Sequence, residues 1–190
     1  LKAVHATAAA VVGNAISERS GEGVGGCVLD LRSNPGGLLM ASVEIARQWL
    51  DEGVIVSSST RDGVSDVKRA SGRALTKAPL VVLVNEGSAS ASEILSGAIQ
   101  DNNRGVVVGK KTFGKGLIQS VRGLSDGSGM TVTIAKYLTP SGKDIHKQGI
   151  TPDVNANLSK AQAQRLKFED LGTRNDPQYR VAESELAKLL

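Results

Sequence analysis

The chain has 190 residues, 40% of them apolar and 22% charged, the balance of one globular domain with a sizeable core. Its net charge of +4 comes from scattered Lys and Arg and only 3% of residues are aromatic, which argues against a basic arm or a stacking platform for nucleic acid. A single cysteine excludes an internal disulfide, no His/Cys cluster has metal-ligand spacing, and no run approaches the roughly 18 apolar residues of a membrane span.

In chain order, residues 7–18 have helical composition and end in Ser20-Gly21-Glu22-Gly23. Residues 26–31 are a short apolar run with the length of a buried strand, which makes Cys27 a buried thiol. Arg32-Ser33-Asn34-Pro35-Gly36-Gly37 is a breaker cluster and must be a loop. Leu39, Val43, Ala46 and Leu50 then recur at helical spacing. Residues 54–58 read as a strand, with Arg61-Asp62-Gly63 turning into an edge hairpin. The pure Leu/Val run at 80–84 has the character of a central parallel strand. Asn85-Glu86-Gly87 leads from it into a helix at 89–101, with Ile94, Leu95, Ala98 and Ile99 on the apolar side. Residues 106–109 form another buried strand, and 117–124 and 130–138 flank a loop between antiparallel strands. From 158 the chain is polar and helical, divided by Pro177, and reads as a peripheral appendage. Alternating helix and strand predict a layered α/β domain. The start, Leu1-Lys2-Ala3-Val4, has no initiator Met or visible signal peptide, as expected of a fragment whose targeting information was removed or lies further upstream.

A nucleophile needs an activating partner, and the histidines are the first candidates. His5 lies in the first few residues, and His146 sits among Lys143, Asp144 and Lys147 and reads as solvated, so a Ser-His-Asp triad is poorly supported. The segment from Leu80 to Ile94 is stronger. A buried strand feeds a sharp glycine turn, three spaced serines and a helix, as at a nucleophile elbow but without the G-x-S-x-G letters. The helix start would bring N–H groups and positive dipole close to a serine. Helix capping explains the serines equally well, and spacing does not say which of Ser88, Ser90 and Ser92 would react.

Lys115 stands between Gly114 and Gly116, and glycine in a strand signals close backbone approach. The surrounding Gly109-Lys110-Lys111-Thr112-Phe113-Gly114-Lys115-Gly116 is not a phosphate loop, because Gly116 replaces the required Ser or Thr. A strand period of two puts Lys115, Leu117 and Gln119 on one face, where Gln119 could hold the lysine amine. A basic lysine must be neutral, and burial among apolar groups would favour that form. The Asn34-Pro35-Gly36-Gly37 loop could expose N–H groups to an oxyanion or clamp a substrate strand, or could simply connect strand to helix. Asp30 reads as a structural partner of Arg32 or of a backbone N–H.

Together LDLRSNPGGLL, VNEGSASASEIL, GKKTFGKGLIQSV, LSDGSGMTVTIAKYLTPSGKDI and GITPDV, in this order through most of residues 24–154, resemble the C-terminal processing (tail-specific) peptidases. The resemblance implies a layered core of the ClpP/crotonase type, a mostly parallel sheet flanked by helices with a C-terminal antiparallel strand pair and a helical tail. It implies Ser90 as nucleophile, Lys115 as general base and Gln119 as its support. The oxyanion hole would come from the N–H groups of Ala91 and of Gly36 or Gly37, with Gly36 favoured. No metal or organic cofactor is implied. The partners implied are proteins or peptides with an exposed C-terminal tail, with no nucleic acid and no integral membrane segment.

The family's helical N-terminal region, its PDZ domain and the strand before the first helix are expected to be missing. That leaves a catalytic core at 1–157 and a tail at 158–190. Leu171-Gly172-Thr173 with Asp176-Pro177-Gln178-Tyr179 resembles cyanobacterial and plastid members. The resemblance thus implies maturation of a photosystem II reaction-centre precursor, in the periplasm or thylakoid lumen. Two rivals remain, a non-catalytic peptide-binding module that augments a sheet edge and an acyl-CoA-type hydratase or hydrolase on a similar core.

Overall fold

Leu80, Val81, Val82, Leu83 and Val84 are all fully buried, and the rest of the molecule is arranged around this run. The computed structural model describes residues 1–20 and 23–190; Gly21 and Glu22, in the glycine-rich end expected for the first helix, lie outside them. In chain order the elements are α1 (Ala8–Ser20), β1 (Cys27–Asp30), α2 (Leu39–Arg47), β2 (Val54–Thr60), β3 (Gly63–Arg69), β4 (Leu80–Val84) and α3 (Ala91–Asp101). They continue with β5 (Val106–Gly109), β6 (Leu117–Gly123), β7 (Gly129–Leu138), β8 (Val154–Asn155), α4 (Lys160–Arg165), a short 3-10 turn (Phe168–Asp170) and α5 (Pro177–Ala187).

Two sheets result. One is parallel, in the order β1-β4-β5-β8, and the other pairs β3-β2-β7-β6. The antiparallel part is therefore larger than the expected strand pair. β7 is ten residues long, and its last residues pair with β2, Ser57 opposite Leu138 and Ser59 opposite Lys136. The expected hairpin at Arg61-Asp62-Gly63 thereby joins β6 and β7 in one sheet.

The two-residue period of β4 divides the core. Leu80, Val82 and Val84 pack with residues of α1, α2 and α3, including Ile16, Val43, Ile45, Leu95 and Ile99. Val81 and Leu83 face the opposite way, against Val108 and Ala182, with Tyr179, Val181 and Leu186 beside them. Each such burial is worth about 1.5–3 kcal/mol. This corrects the reading of the tail as a peripheral appendage: α5 roofs the second face of the parallel sheet. Pro177 divides the tail as expected because it occupies the first turn of α5, where its missing N–H costs nothing. Cys27, expected to be fully buried, is half-buried, and burial pushes its thiol up despite the nearby charge of Arg104.

Candidate active site

The turn after β4 is built from its own side chains. Asn85 Oδ1 accepts from the Gly87 and Ser33 N–H groups at 3.0 and 2.7 Å. Ser88, fully buried, donates its hydroxyl to Leu31 O at 2.7 Å and accepts from Asn85 N–H at 3.0 Å. Ser92 is buried in α3. Of the three serines, Ser90 is the one that is partly exposed. Its backbone lies at φ 54°, ψ −117°, a region costly for a residue with a Cβ and concentrated at functional sites.

Glu93, fully buried on the first turn of α3, is the residue that the sequence reading missed. Its Oε2 accepts from Ser90 N–H and from Lys115 N–H, both at 2.8 Å. Its Oε1 accepts from Thr112 O–H at 2.5 Å and from Gly114 N–H at 2.7 Å. These donors and the helix N-terminus compensate the burial of a carboxylate. The S-x-x-E spacing of Ser90 and Glu93 is a capping-box signature that could have flagged it. A further bond, from Phe113 N–H to Ser88 O at 3.0 Å, pins the lysine loop to the elbow.

The Ser90 and Lys115 nitrogens thus share one oxygen and lie no further apart than two 2.8 Å bonds in sequence. Their side chains are not hydrogen-bonded to each other. Lys115 is exposed, so the described residues do not supply the burial expected of it. It also precedes β6, with its N–H committed to Glu93, so the strand period does not extend back to it. Gln119 is exposed on β6 beyond a ladder irregularity at Ile118/Gln119, and no hydrogen bond joins it to Lys115. His146, expected to be solvated, is half-buried with Nδ1 buried and unpartnered. Its backbone crosses Gly116 so closely that a Cβ there would stand 2.5 Å from His146 N, the close approach expected of that glycine.

The breaker loop at 33–37 lies against the elbow. Ala89 N–H donates to Asn34 O at 3.0 Å. A Cβ on Gly36 would stand 2.5 Å from Ala89 O, 2.7 Å from Ala91 N and 2.9 Å from Ser90 Cβ. With φ +95°, this position needs glycine on both counts. The Gly36 N–H donates to Asn34 Oδ1 at 2.9 Å. Among the described residues no acceptor takes the N–H of Gly37 or of Ala91. The preference for Gly36 over Gly37 therefore meets an obstacle, since the Gly36 donor is already engaged. Asp30 pairs as expected, with its Oδ1 accepting from Arg32 N–H at 2.9 Å and its Oδ2 from Arg32 Nη2 at 2.6 Å. Among the described residues no group of three or more His, Cys, Asp or Glu could hold a metal ion.

The sequence model of peptidase family S41 matches residues 1–156. A carboxyl-terminal-processing protease of Synechocystis sp. is 51% identical over 171 residues, covering 90% of this chain and 39% of that protein. The chloroplastic carboxyl-terminal-processing peptidase 3 of Arabidopsis thaliana is 52% identical over 156 residues, 81% of this chain and 30% of its own length. Among solved structures, a photosystem II D1 C-terminal processing protease superposes with a TM-score of 0.82 at 45% identity. It covers 98% of this chain, which spans 46% of it. The chain thus spans less than half the length of these relatives. Among the described residues no helix is long and apolar enough to cross a membrane.

Proposed function

The chain belongs to peptidase family S41, and from that premise we propose that it carries the catalytic centre of a serine endopeptidase that cuts proteins near their C-termini. The observation that carries the reading is the strained Ser90 in an elbow whose Ala91 N–H is unclaimed, anchored to the same carboxylate as Lys115.

The chemistry is acyl transfer. The Lys115 amine, swung toward Ser90, acts as the base and takes the hydroxyl proton as Oγ attacks the scissile carbonyl. Ala91 N–H and Gly37 N–H hold the oxyanion; Gly36 N–H serves only if Asn34 Oδ1 releases it. Lys115 then protonates the leaving amine, and water hydrolyses the acyl-enzyme. Gln119 supports the lysine after a rotamer change that brings it to the amine.

The relatives' names support a protein substrate with a free C-terminal tail. We place that substrate with photosystem II reaction-centre precursors, in a thylakoid lumen or periplasm. A non-catalytic peptide-binding module is the second reading, supported by the exposure of Lys115. A serine-reactive fluorophosphonate separates the two. Peptidase chemistry requires a covalent mass shift on Ser90 and cleavage of a test protein with an apolar C-terminal tail, both lost in Ser90→Ala. No adduct and no cleavage would leave the binding module.

A further inference from the structure

We propose that Asp176 and Gln178, at the start of α5, are positioning residues that hold the oxyanion loop through Arg32, so that the C-terminal helix is a working part of the site. The inference rests on the peptidase reading above, and both residues lie beyond residue 156, where the family match ends.

Arg32 is the entry residue of the loop. Its side chain is only 6% exposed and that of Asp176 is wholly buried. Arg32 Nη2 donates to Asp176 Oδ2 at 2.7 Å and to Asp30 Oδ2 at 2.6 Å. Arg32 Nη1 donates to Gln178 Oε1 at 3.1 Å. Gln178 in turn donates Nε2–H to Ala156 O at 2.7 Å, and Asp176 Oδ1 caps α5 through the Gln178 and Tyr179 N–H groups. A planar guanidinium held on both sides has little freedom. Downstream of it the loop follows a path of left-handed backbone, with φ of 54° at Ser33, 95° at Gly36 and 149° at Gly37. Of the three only Ser33 has a Cβ at a costly φ, which persists only when its surroundings hold it in place, while the two glycines leave the path free to move unless it is anchored. Ser33 and Asn34 are tied to the elbow and Gly36 to Val4; Arg32 ties the entry to the far side of the sheet.

The test compares Asp176→Asn, which keeps a capping oxygen but loses the charge, with Val181→Ala, which thins the underside of the same helix away from Arg32. Peptide kinetics and amide hydrogen exchange at 33–37 are read well below all melting temperatures. The expected result for Asp176→Asn is a roughly tenfold loss of kcat with KM within about twofold, since small misplacements of catalytic groups are expensive. Exchange at 33–37 should be faster, and Val181→Ala should lower Tm without either effect. Combined with Arg32→Gln, Asp176→Asn should add little further loss. A kcat within about twofold of wild type, or an equal loss in Val181→Ala, overturns the proposal. If wild type shows no Ser90-dependent turnover, the peptidase reading fails alone and exchange decides: faster exchange in Asp176→Asn sustains the clamp, unchanged exchange overturns it.

Discussion

Ser90→Gly should be inactive yet more stable than Ser90→Ala. Both variants lack the hydroxyl, so both should lose turnover by a thousandfold or more, on the order seen when a nucleophile is removed. They differ in the Cβ. Alanine keeps it at φ 54°, where a non-glycine residue costs about 1–3 kcal/mol; glycine releases that strain and gives back about 0.4–1 kcal/mol through its freer unfolded chain. Capping does not distinguish them, because the hydroxyl is gone from both and the Ser90 carbonyl, which accepts from Glu93 N–H at 2.9 Å, remains in both. The net gain is about 1 kcal/mol, which for a chain of this size raises Tm by about 2–4 °C. Calorimetry on the two variants side by side reads it. If Ser90→Gly melted with or below Ser90→Ala, the elbow would not be strained and its geometry would lose its catalytic meaning.

Lys115→Arg should be as inactive as Lys115→Ala in peptide cleavage, because a guanidinium does not give up its proton to become a base. Gly36→Ala should cut kcat at least a hundredfold, since its Cβ would fall 2.5 Å from Ala89 O and 2.9 Å from Ser90 Cβ and push the nucleophile out of line. Glu93→Gln turns an amide N–H₂ toward two of the four donors; urea unfolding should show a loss of about 3 kcal/mol or more, with activity falling alongside. Burial pushes the Asp176 carboxyl up, but Arg32 and the Gly172 and Tyr179 N–H groups outweigh it and hold it below the usual range. Its stabilisation is therefore full above the unfolded value near pH ~3.9 and is lost as pH falls through the lower folded value. The stability gap between wild type and Asp176→Asn should narrow from pH 6 to pH 3 by urea titration.

What was legible in the sequence was what a local pattern determines. An unbroken Leu/Val run admits few environments other than a strand buried on both faces, and β4 begins and ends where that run does. The breaker cluster at 32–37 and the serine turn at 85–90 were placed for the same reason. Partners chosen at long range were not legible. Nothing in residues 177–187 states that their small and aliphatic side chains will meet Val81 and Leu83; the helix is amphipathic enough to sit on a sheet or to stand apart. Glu93 escaped because its donors come from residues 90, 112, 114 and 115, a convergence that only the folded chain assembles. The strand period carried back from β6 to Lys115 failed where a side chain, and not a neighbouring strand, took the backbone N–H.

Because one buried carboxylate grips the backbones of Ser90 and Lys115 together, a displacement of Glu93 would carry both backbones with it. The loop at 33–37 is held at other points, on Asn85, Ala89 and Val4 and, through Arg32, on Asp176 and Gln178. The spacing of the Ser90 and Lys115 backbones is thus set by a single side chain, while the exposed Lys115 side chain makes no hydrogen bond or ion pair among the described residues. An engineered version that stiffens this centre gains most from a partner for the Lys115 amine, the one working group of the proposed pair that its surroundings do not hold.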